Sequence, residues 1–474
     1  MRYIRSIVPV ALALVVATVS VARGQDQSGS DKFVSKEDYQ KLKAEHERLK
    51  QEMEALKSQM QAVLAKGTNQ ETAKVKAQVE DLQKKAASRQ AETDQTLDEF
   101  DKELKQVKQM AKDSFPGSTK MLLGGYGSAT FMATRGGYGP AAPVPPDSRD
   151  ANSSFTATFN PIFLWKMSDR LLFEGELEME LEGSDTSTAL EMAQISYVLN
   201  DYMTIGAGKF LNPGDYFVER QHMAWVNKMP DKPLAVYDGL MPESLLGVQV
   251  RGGIPVGPAK IGYAFFAANA PALTTTPADP ANPIELGTLS FDNFDNSNGH
   301  ISVGGRVGIY PIPELEIGYG FQTAAVGPRG SDVSALLQSV DLSYVRDSEL
   351  LKGTINLHGQ WVWSHVDGYT YDASGSGGFG PVTFSNNRNG GYVQLAYRPS
   401  KLENSIVKNL EPVMRYDMIN QKKTPVGFDE RRFTVGLNYW LGASTVVKVA
   451  YEFDRQNGTG ENGNAFFTQF ALGF

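Results

Sequence analysis

Two short stretches of this chain gather the residues that could do chemistry. In Phe173-Glu174-Gly175-Glu176-Leu177-Glu178-Met179-Glu180-Leu181-Glu182, glutamate takes every second position. A strand turns successive side chains to opposite faces. Glu174, Glu176, Glu178, Glu180 and Glu182 therefore share one face, and Phe173, Leu177, Met179 and Leu181 share the other. Such a row of carboxylates attracts cations and repels anions when it lines a narrow aqueous passage, because low-dielectric walls focus its field. The same stripe could pair with Lys or Arg on neighbouring strands, or form a rim where divalent ions bridge it to lipopolysaccharide. The second stretch, Leu211 to Glu243, carries Asp215, Glu219, Arg220, His222, Trp225, Lys228, Asp231 and Lys232 among prolines. Mixed charge with an aromatic suits a segment folded across a channel, where opposed charges set a transverse field. A position over a rim, or a latch onto a neighbouring subunit, are the competing readings.

No other part of the sequence offers a reaction centre. Five histidines are present, no G-x-S-x-G occurs, and no acidic-His cluster has metal-ligand spacing. The chain has no cysteine, which excludes disulfides, thiolate metal sites and thiol nucleophiles. Asp292 to Gly299 lacks the spacing of an EF-hand and reads as a solvated turn. The expectation is a protein that is not an enzyme and holds no metal or cofactor. Net charge is −8 over 474 residues. Residues 1–114 hold 20 basic and 18 acidic side chains, which leaves 26 against 36 for the remainder. No basic stripe for nucleic acid is visible. Arg220, Arg251, Arg306, Arg398 and Arg415 are candidates for a partial basic track, but strand parity alone does not bring them together.

The elements that must position these residues fall into three segments. Arg2 and Arg5 precede an apolar run from Ile7 to Ala17, followed by small residues at Ser20-Val21-Ala22 and Ala22-Arg23-Gly24. Residues 1–24 thus read as a secretory signal peptide, and no later run is long and apolar enough for a spanning helix. Residues 25–114 read as a coiled coil. Leu42, Leu49, Leu56 and Val63 recur every seven positions, with Tyr39, His46, Met53 and Met60 completing the seam. The pattern breaks at Gly67 and resumes in a shifted register ending near Ala111, a stutter that relaxes the supercoil. Coiled coils need partner strands, so this segment predicts an oligomer, and a trimer is favoured.

From Phe115 to Phe474 the period changes to two. About sixteen alternating segments follow one another, each near the ~10 residues that a tilted membrane strand needs. Links such as Ser168-Asp169, Asn200-Asp201, Pro311-Ile312-Pro313 and Gly442-Ala443 are tight. The links at the other end, including Leu211 to Glu243, Ala270 to Asn298 and Asp367 to Asn389, are mostly long. Short turns at one end and long loops at the other are the habit of outer-membrane barrels. The chain closes on Phe466-Phe467-Thr468-Gln469-Phe470-Ala471-Leu472-Gly473-Phe474. Phe466, Phe470, Leu472 and Phe474 share one face, as a lipid-facing closing strand requires, and resemble the C-terminal signal read by the outer-membrane assembly machinery. The fold class expected is an all-β transmembrane barrel of about sixteen antiparallel strands behind an N-terminal coiled coil.

Several patches carry a family resemblance. Leu410-Glu411-Pro412-Val413-Met414-Arg415-Tyr416-Asp417, Arg432-Phe433-Thr434-Val435-Gly436-Leu437-Asn438-Tyr439-Trp440-Leu441 and Val449-Ala450-Tyr451 resemble the phosphate-selective porin O and P family. Gly206-Ala207-Gly208-Lys209-Phe210-Leu211-Asn212-Pro213-Gly214 is similar to that family's strand-and-loop entry. The preceding coiled coil resembles a related branch, the trimeric porins with a periplasmic helical stalk that take up dicarboxylates or other small acids. The resemblance implies a sixteen-stranded trimeric barrel for passive uptake. It departs at selectivity: phosphate recognition in that family rests on an arginine ladder and a lysine cluster, whereas the densest stripe here is glutamate. The expected function is passive diffusion of small hydrophilic solutes through the outer membrane, with the N-terminal segment in the periplasm. A structural tether, reaching from the barrel to peptidoglycan through the coiled coil, is the alternative of a different class. Expected partners are membrane lipid and lipopolysaccharide, the assembly machinery and two further copies of the chain.

Overall fold

A computed structural model describes residues 121–136, 152–182, 185–237, 239–276, 286–371, 381–421, 429–457 and 462–474. The expected signal peptide and coiled coil lie outside the described residues. The strands run β1 (Met121–Gly136), β2 (Asn152–Lys166), β3 (Leu171–Glu182), β4 (Asp185–Asn200), β5 (Met203–Leu211), β6 (Ser244–Val256) and β7 (Ala259–Asn269). A two-residue pair, β8 (Ala272–Leu273) and β9 (Leu289–Ser290), interrupts them. Then follow β10 (Ile301–Ile312), β11 (Leu315–Ala325), β12 (Ser334–Ser348), β13 (Gly353–Tyr371) and β14 (Val382–Arg398). The last four are β15 (Leu410–Asn420), β16 (Asp429–Trp440), β17 (Thr445–Asn457) and β18 (Asn462–Gly473).

All but β8 and β9 form one closed antiparallel barrel of sixteen strands, each paired with its chain neighbour, with β7 beside β10. The ring closes where β18 pairs with β1, from Tyr126 opposite Gly473 to Gly136 opposite Gly463. Phe474 extends the ladder by exchanging both backbone hydrogen bonds with Gly125, and its ring stacks on Phe159 of β2, centroids 5.7 Å apart. Closure leaves no unpaired edge, the condition for a sheet to survive in hydrocarbon.

The two faces of the wall obey the alternation read from sequence. Outward positions are apolar and uncovered: Phe155 is 76% exposed and Ile301 66%, and Phe265, Val303, Val435, Phe466, Phe470 and Phe474 continue the belt. In water this belt would drive aggregation, whereas a bilayer accepts it. Inward positions are mostly polar, and they differ around the ring. On β12 to β18 they are buried along most of each strand, as with Glu411, Val413, Arg415, Asp417 and Ile419 of β15. On β1 to β3, Thr130, Ser154, Thr156, Thr158, Glu178 and Glu180 stay partly exposed. Among the described residues, the filling of the lumen lies mainly on one side.

The filling is the chain itself. The links after β5 and β7 turn inward, and Leu234, Leu240, Met241, Leu273, Leu286 and Leu289 pack on Leu337, Val362, Tyr371 and Ile419 of the wall. A buried leucine there contributes about 1.5–3 kcal/mol relative to exposure. Two sequence expectations need correction. The link placed at Asp367 to Asn389 is largely strand, because a register shift between Val366 and Tyr369 restarts the β13–β14 pairing. Asp292 to Gly299 is not fully solvated, since Asn293 and Asn298 are buried and donate to the carbonyls of Ala270 and Pro271.

Candidate functional site: the lumen and its inserted loop

The inserted loop, residues 212–243, begins and ends at a neck. The Asn212 backbone N–H donates to the Glu243 carbonyl at 2.9 Å, and its side-chain amide donates to Pro242 at 3.0 Å. Ser339 Oγ then donates to the Gly214 carbonyl at 2.6 Å. Asp215 caps the short helix α1 (Tyr216–Gln221), accepting from Val218 N–H at 3.2 Å. Gln360 of β13 holds this turn from the wall: its amide donates to Asp215 Oδ1 at 3.1 Å, and its oxygen accepts from Phe217 N–H at 3.1 Å. Asp215 is thus a buried structural cap, and burial pushes its carboxyl up to about 6 although the Val218 and Gln360 donors oppose the shift.

That placement has a pH consequence. A carboxyl raised in the folded state stabilises below its unfolded value near 4, and the benefit is lost as pH rises through about 6. Asp215→Asn keeps the oxygen that accepts both bonds and removes the charge. The variant should be more stable than the parent at pH 7 by about 1–3 kcal/mol, and no different near pH 4. Chemical unfolding in micelles at the two pH values checks this, and a variant weakened at both would contradict it.

Beyond α1 the loop meets a cluster of alternating charge. Glu219 accepts from Arg251 of β6 at 2.5 Å and from Arg220 at 3.3 Å. Burial alone would raise Glu219, but those guanidinium groups outweigh it and hold the carboxyl below its ordinary range. Arg220 reaches Glu316 of β11 at 3.7 Å, and Arg306 of β10 binds Glu316 at 2.8 Å and Asp341 of β12 at 2.6 Å. Arg220 and Arg251 keep 40% and 42% of their side chains in water. Arg220, Arg251 and Arg306 thus come together, whereas Arg415 lies on β15 and Arg398 is engaged by Asn409 and the Lys408 carbonyl.

The facing wall carries the glutamate stripe. Glu174 accepts from Gln194 of β4 at 2.8 Å, and Gln194 in turn accepts from Gln249 of β6 at 2.8 Å. The two glutamines meet across β5 because Gly206 between them has no side chain; a Cβ there would stand 3.1 Å from Gln249 Cγ. Glu176 is buried under the loop, 3.7 Å from His222. Glu178 lies within hydrogen-bonding reach of Glu191. Parity alone would miss Glu191: the register shifts between Glu176 and Leu177 leave it as the extra residue of a bulge opposite β3, which re-aims its side chain. Glu180 also faces the interior, and the Glu182 side chain lies outside the described residues.

The descending limb is anchored to β14–β18. Lys448 of β17 donates to the carbonyls of Ala224 and Met229 and to Gln469, at 2.5, 3.3 and 2.7 Å, which uses all three ammonium hydrogens. Lys228 pairs with Glu411 at 2.9 Å and lies 4.7 Å over the ring of Trp440. Trp225 packs beside Trp440, Val446 and Ala471. Arg415 holds the carbonyls of Asp231 and Lys232 at 2.8 and 3.1 Å, and Arg432 binds the Asp231 carboxylate at 2.8 Å. Lys232 pairs with Glu243 at 2.8 Å and stays 40% exposed. After this limb, the helical turn α2 (Leu234–Tyr237) packs on the wall. Of the loop residues singled out by sequence, Arg220 and Lys232 face water, Asp215, Glu219 and Lys228 are largely buried, and Trp225 is half-buried. The wall residues Gln360, Arg432 and Lys448 carry no local signal beyond being polar at inward positions.

No family model matches the sequence, and no curated protein matches it. Among solved structures, the anion-selective porin from Comamonas acidovorans is similar over 75% of this chain and 99% of its own, at 11% identity and a TM-score of 0.48. The Salmonella typhi OmpF complex with daunomycin covers 75% and 98%, at 12% identity and a TM-score of 0.47. The outer membrane channel DcaP of Acinetobacter baumannii covers 74% and 97%, at 11% identity and a TM-score of 0.44.

Proposed function

We propose that this chain is an outer-membrane porin that lets small hydrophilic solutes diffuse down their gradients. One observation carries the reading: Thr130, Ser154, Thr156, Thr158, Glu178 and Glu180 on the inward face of β1 to β3 stay partly open to water, with Asn160 and Glu176 covered, while the inserted loop seals the opposite half of the lumen. A loop that served only to plug the barrel would cover both halves. The path this leaves is eccentric, bounded by Glu178, Glu180 and Glu191 on the wall and by Arg220, Arg251 and Lys232 across from it. Opposed charges of that kind orient a passing solute, and the acidic excess of residues 115–474 as a whole, 36 acidic against 26 basic side chains, favours cations. Residues 25–114 complete the reading as a periplasmic coiled-coil stalk that joins three copies, after removal of residues 1–24. Phe466, Phe470, Leu472 and Phe474 serve in it as the assembly signal on the lipid-facing side of β18.

Reversal potentials under a salt gradient test the selectivity. The intact protein should prefer potassium over chloride, and Glu178→Gln/Glu180→Gln/Glu191→Gln should move the potential toward the anion side. A ratio unchanged by the triple substitution would remove these carboxylates from the path.

A further inference from the structure

His222 is where the inserted loop touches the more open wall of β1 and β3. Its ring stands edge-on to Tyr126 of β1, with centroids 6.0 Å apart and planes at 73°. Nε2 lies 3.7 Å from Glu176 Oε1 of β3, a residue only 1% exposed. The other ring nitrogen is committed: Nδ1 stands 2.6 Å from the Val218 carbonyl. A carbonyl can only accept, so Nδ1 must carry a hydrogen. In a neutral ring Nε2 would then point a lone pair at the Glu176 carboxylate, setting two acceptors face to face in a buried place. Neither atom has a hydrogen-bond partner among the described residues, and the 3.7 Å between them is an ion-pair distance. A proton on Nε2 resolves the conflict, since the imidazolium then donates from Nδ1 to Val218 and pairs by charge with Glu176.

The surroundings agree. Glu176 and Glu178 of β3, Glu191 of β4 and the Tyr126 hydroxyl surround the contact, with Lys232 from the loop as the opposing charge. Burial by itself would favour the neutral ring, but the Glu176 contact and the Val218 carbonyl outweigh it and hold His222 above its ordinary value. The charged form therefore persists above the usual histidine range and is lost as pH rises through the raised value. The other loop anchors described above lie on β6 and on β10 to β18, so release at His222 frees only the loop's contact with β1 and β3.

Resting on the porin reading, we infer that His222 is a protonation-dependent latch that docks the inserted loop on Glu176 and narrows the path, and that losing its proton releases the loop from β3. Single-channel conductance of the full chain, stepped from about pH 5.5 to about pH 9.5, reads this directly. The parent should rise on the alkaline side to the conductance of His222→Ala, which should be wide at both ends. Glu176→Gln offers an amide N–H to the neutral ring, so it should stay narrow throughout and lose the step. A parent that conducts but shows no step, or Glu176→Gln with the parent's step, overturns the latch. Imidazole ¹⁵N spectra of the same preparations separate the two readings. A His222 imidazolium at pH 7 in the parent, neutral in Glu176→Gln, supports the latch even if the barrel is silent, whereas a silent barrel removes the porin reading. A parent His222 that is neutral at pH 7 overturns the latch whatever the conductance.

Discussion

Replacing Arg432 with methionine should cost the barrel about 3–5 kcal/mol, the usual penalty for stranding buried carboxylates without their cation. One guanidinium serves four acids. It binds Asp231 of the loop at 2.8 Å and Glu430 at 3.2 Å, and stands 3.6 Å from both Glu452 and Asp454. Glu430, Glu452 and Asp454 are buried on β16 and β17, and the neighbouring Arg415 is engaged with Asp417 and the loop backbone. Methionine fills most of the volume and satisfies none of the oxygens, so the loss is electrostatic more than steric. Arg432→Lys keeps the charge but not the planar fork and should fall between. Denaturant unfolding in micelles, followed by tryptophan fluorescence, gives the midpoints. If Arg432→Met unfolds with the parent, the cluster does not hold the loop to the wall.

Excising residues 215–238 and joining Gly214 to Gly239 through a short linker should raise single-channel conductance severalfold and weaken charge selectivity. The neck makes the excision feasible, because Asn212 and Glu243 already pair across it. Water entering the vacated half would hydrate Lys448, Arg415 and Arg432, which turns buried charges into ordinary lumenal ones. The cost is the apolar contact of Leu234 and Ala235 with the wall, so the variant should be less stable but closed. A gentler variant guards against misfolding. Gly320 of β11 sits under the loop entry, where an added Cβ would meet Ser339 Oγ at 2.5 Å and the Gly214 carbonyl at 2.9 Å. Gly320→Leu should lift the entry and raise conductance in the same direction. Unaltered conductance in both would mean that the loop does not bound the path.

Strand alternation made the wall legible in sequence, because lipid imposes an apolar residue at every second position. The same rule failed where the inward face is most polar. Asn386-Asn387-Arg388-Asn389-Gly390 has the composition of a turn, yet Asn386, Arg388 and Gly390 occupy inward positions of β14. A lumen tolerates what a loop tolerates, so composition could not separate them. The glutamate stripe was legible from parity alone, but its neighbours were not. Glu191 enters through a bulge, and a one-residue shift of register is invisible in the alternation of the strand that carries it. The inserted loop was legible as a charged, aromatic-bearing link after β5. Its anchors were not, since Lys228 with Glu411 and Asp231 with Arg432 are joined only once the barrel has closed.

The decisive measurement is single-channel recording of the purified full-length protein in planar bilayers. Discrete, ohmic conductance steps that prefer cations and grow when residues 215–238 are removed are the predicted result. A folded, heat-resistant barrel that inserts and stays silent, with and without those residues, would contradict the porin reading.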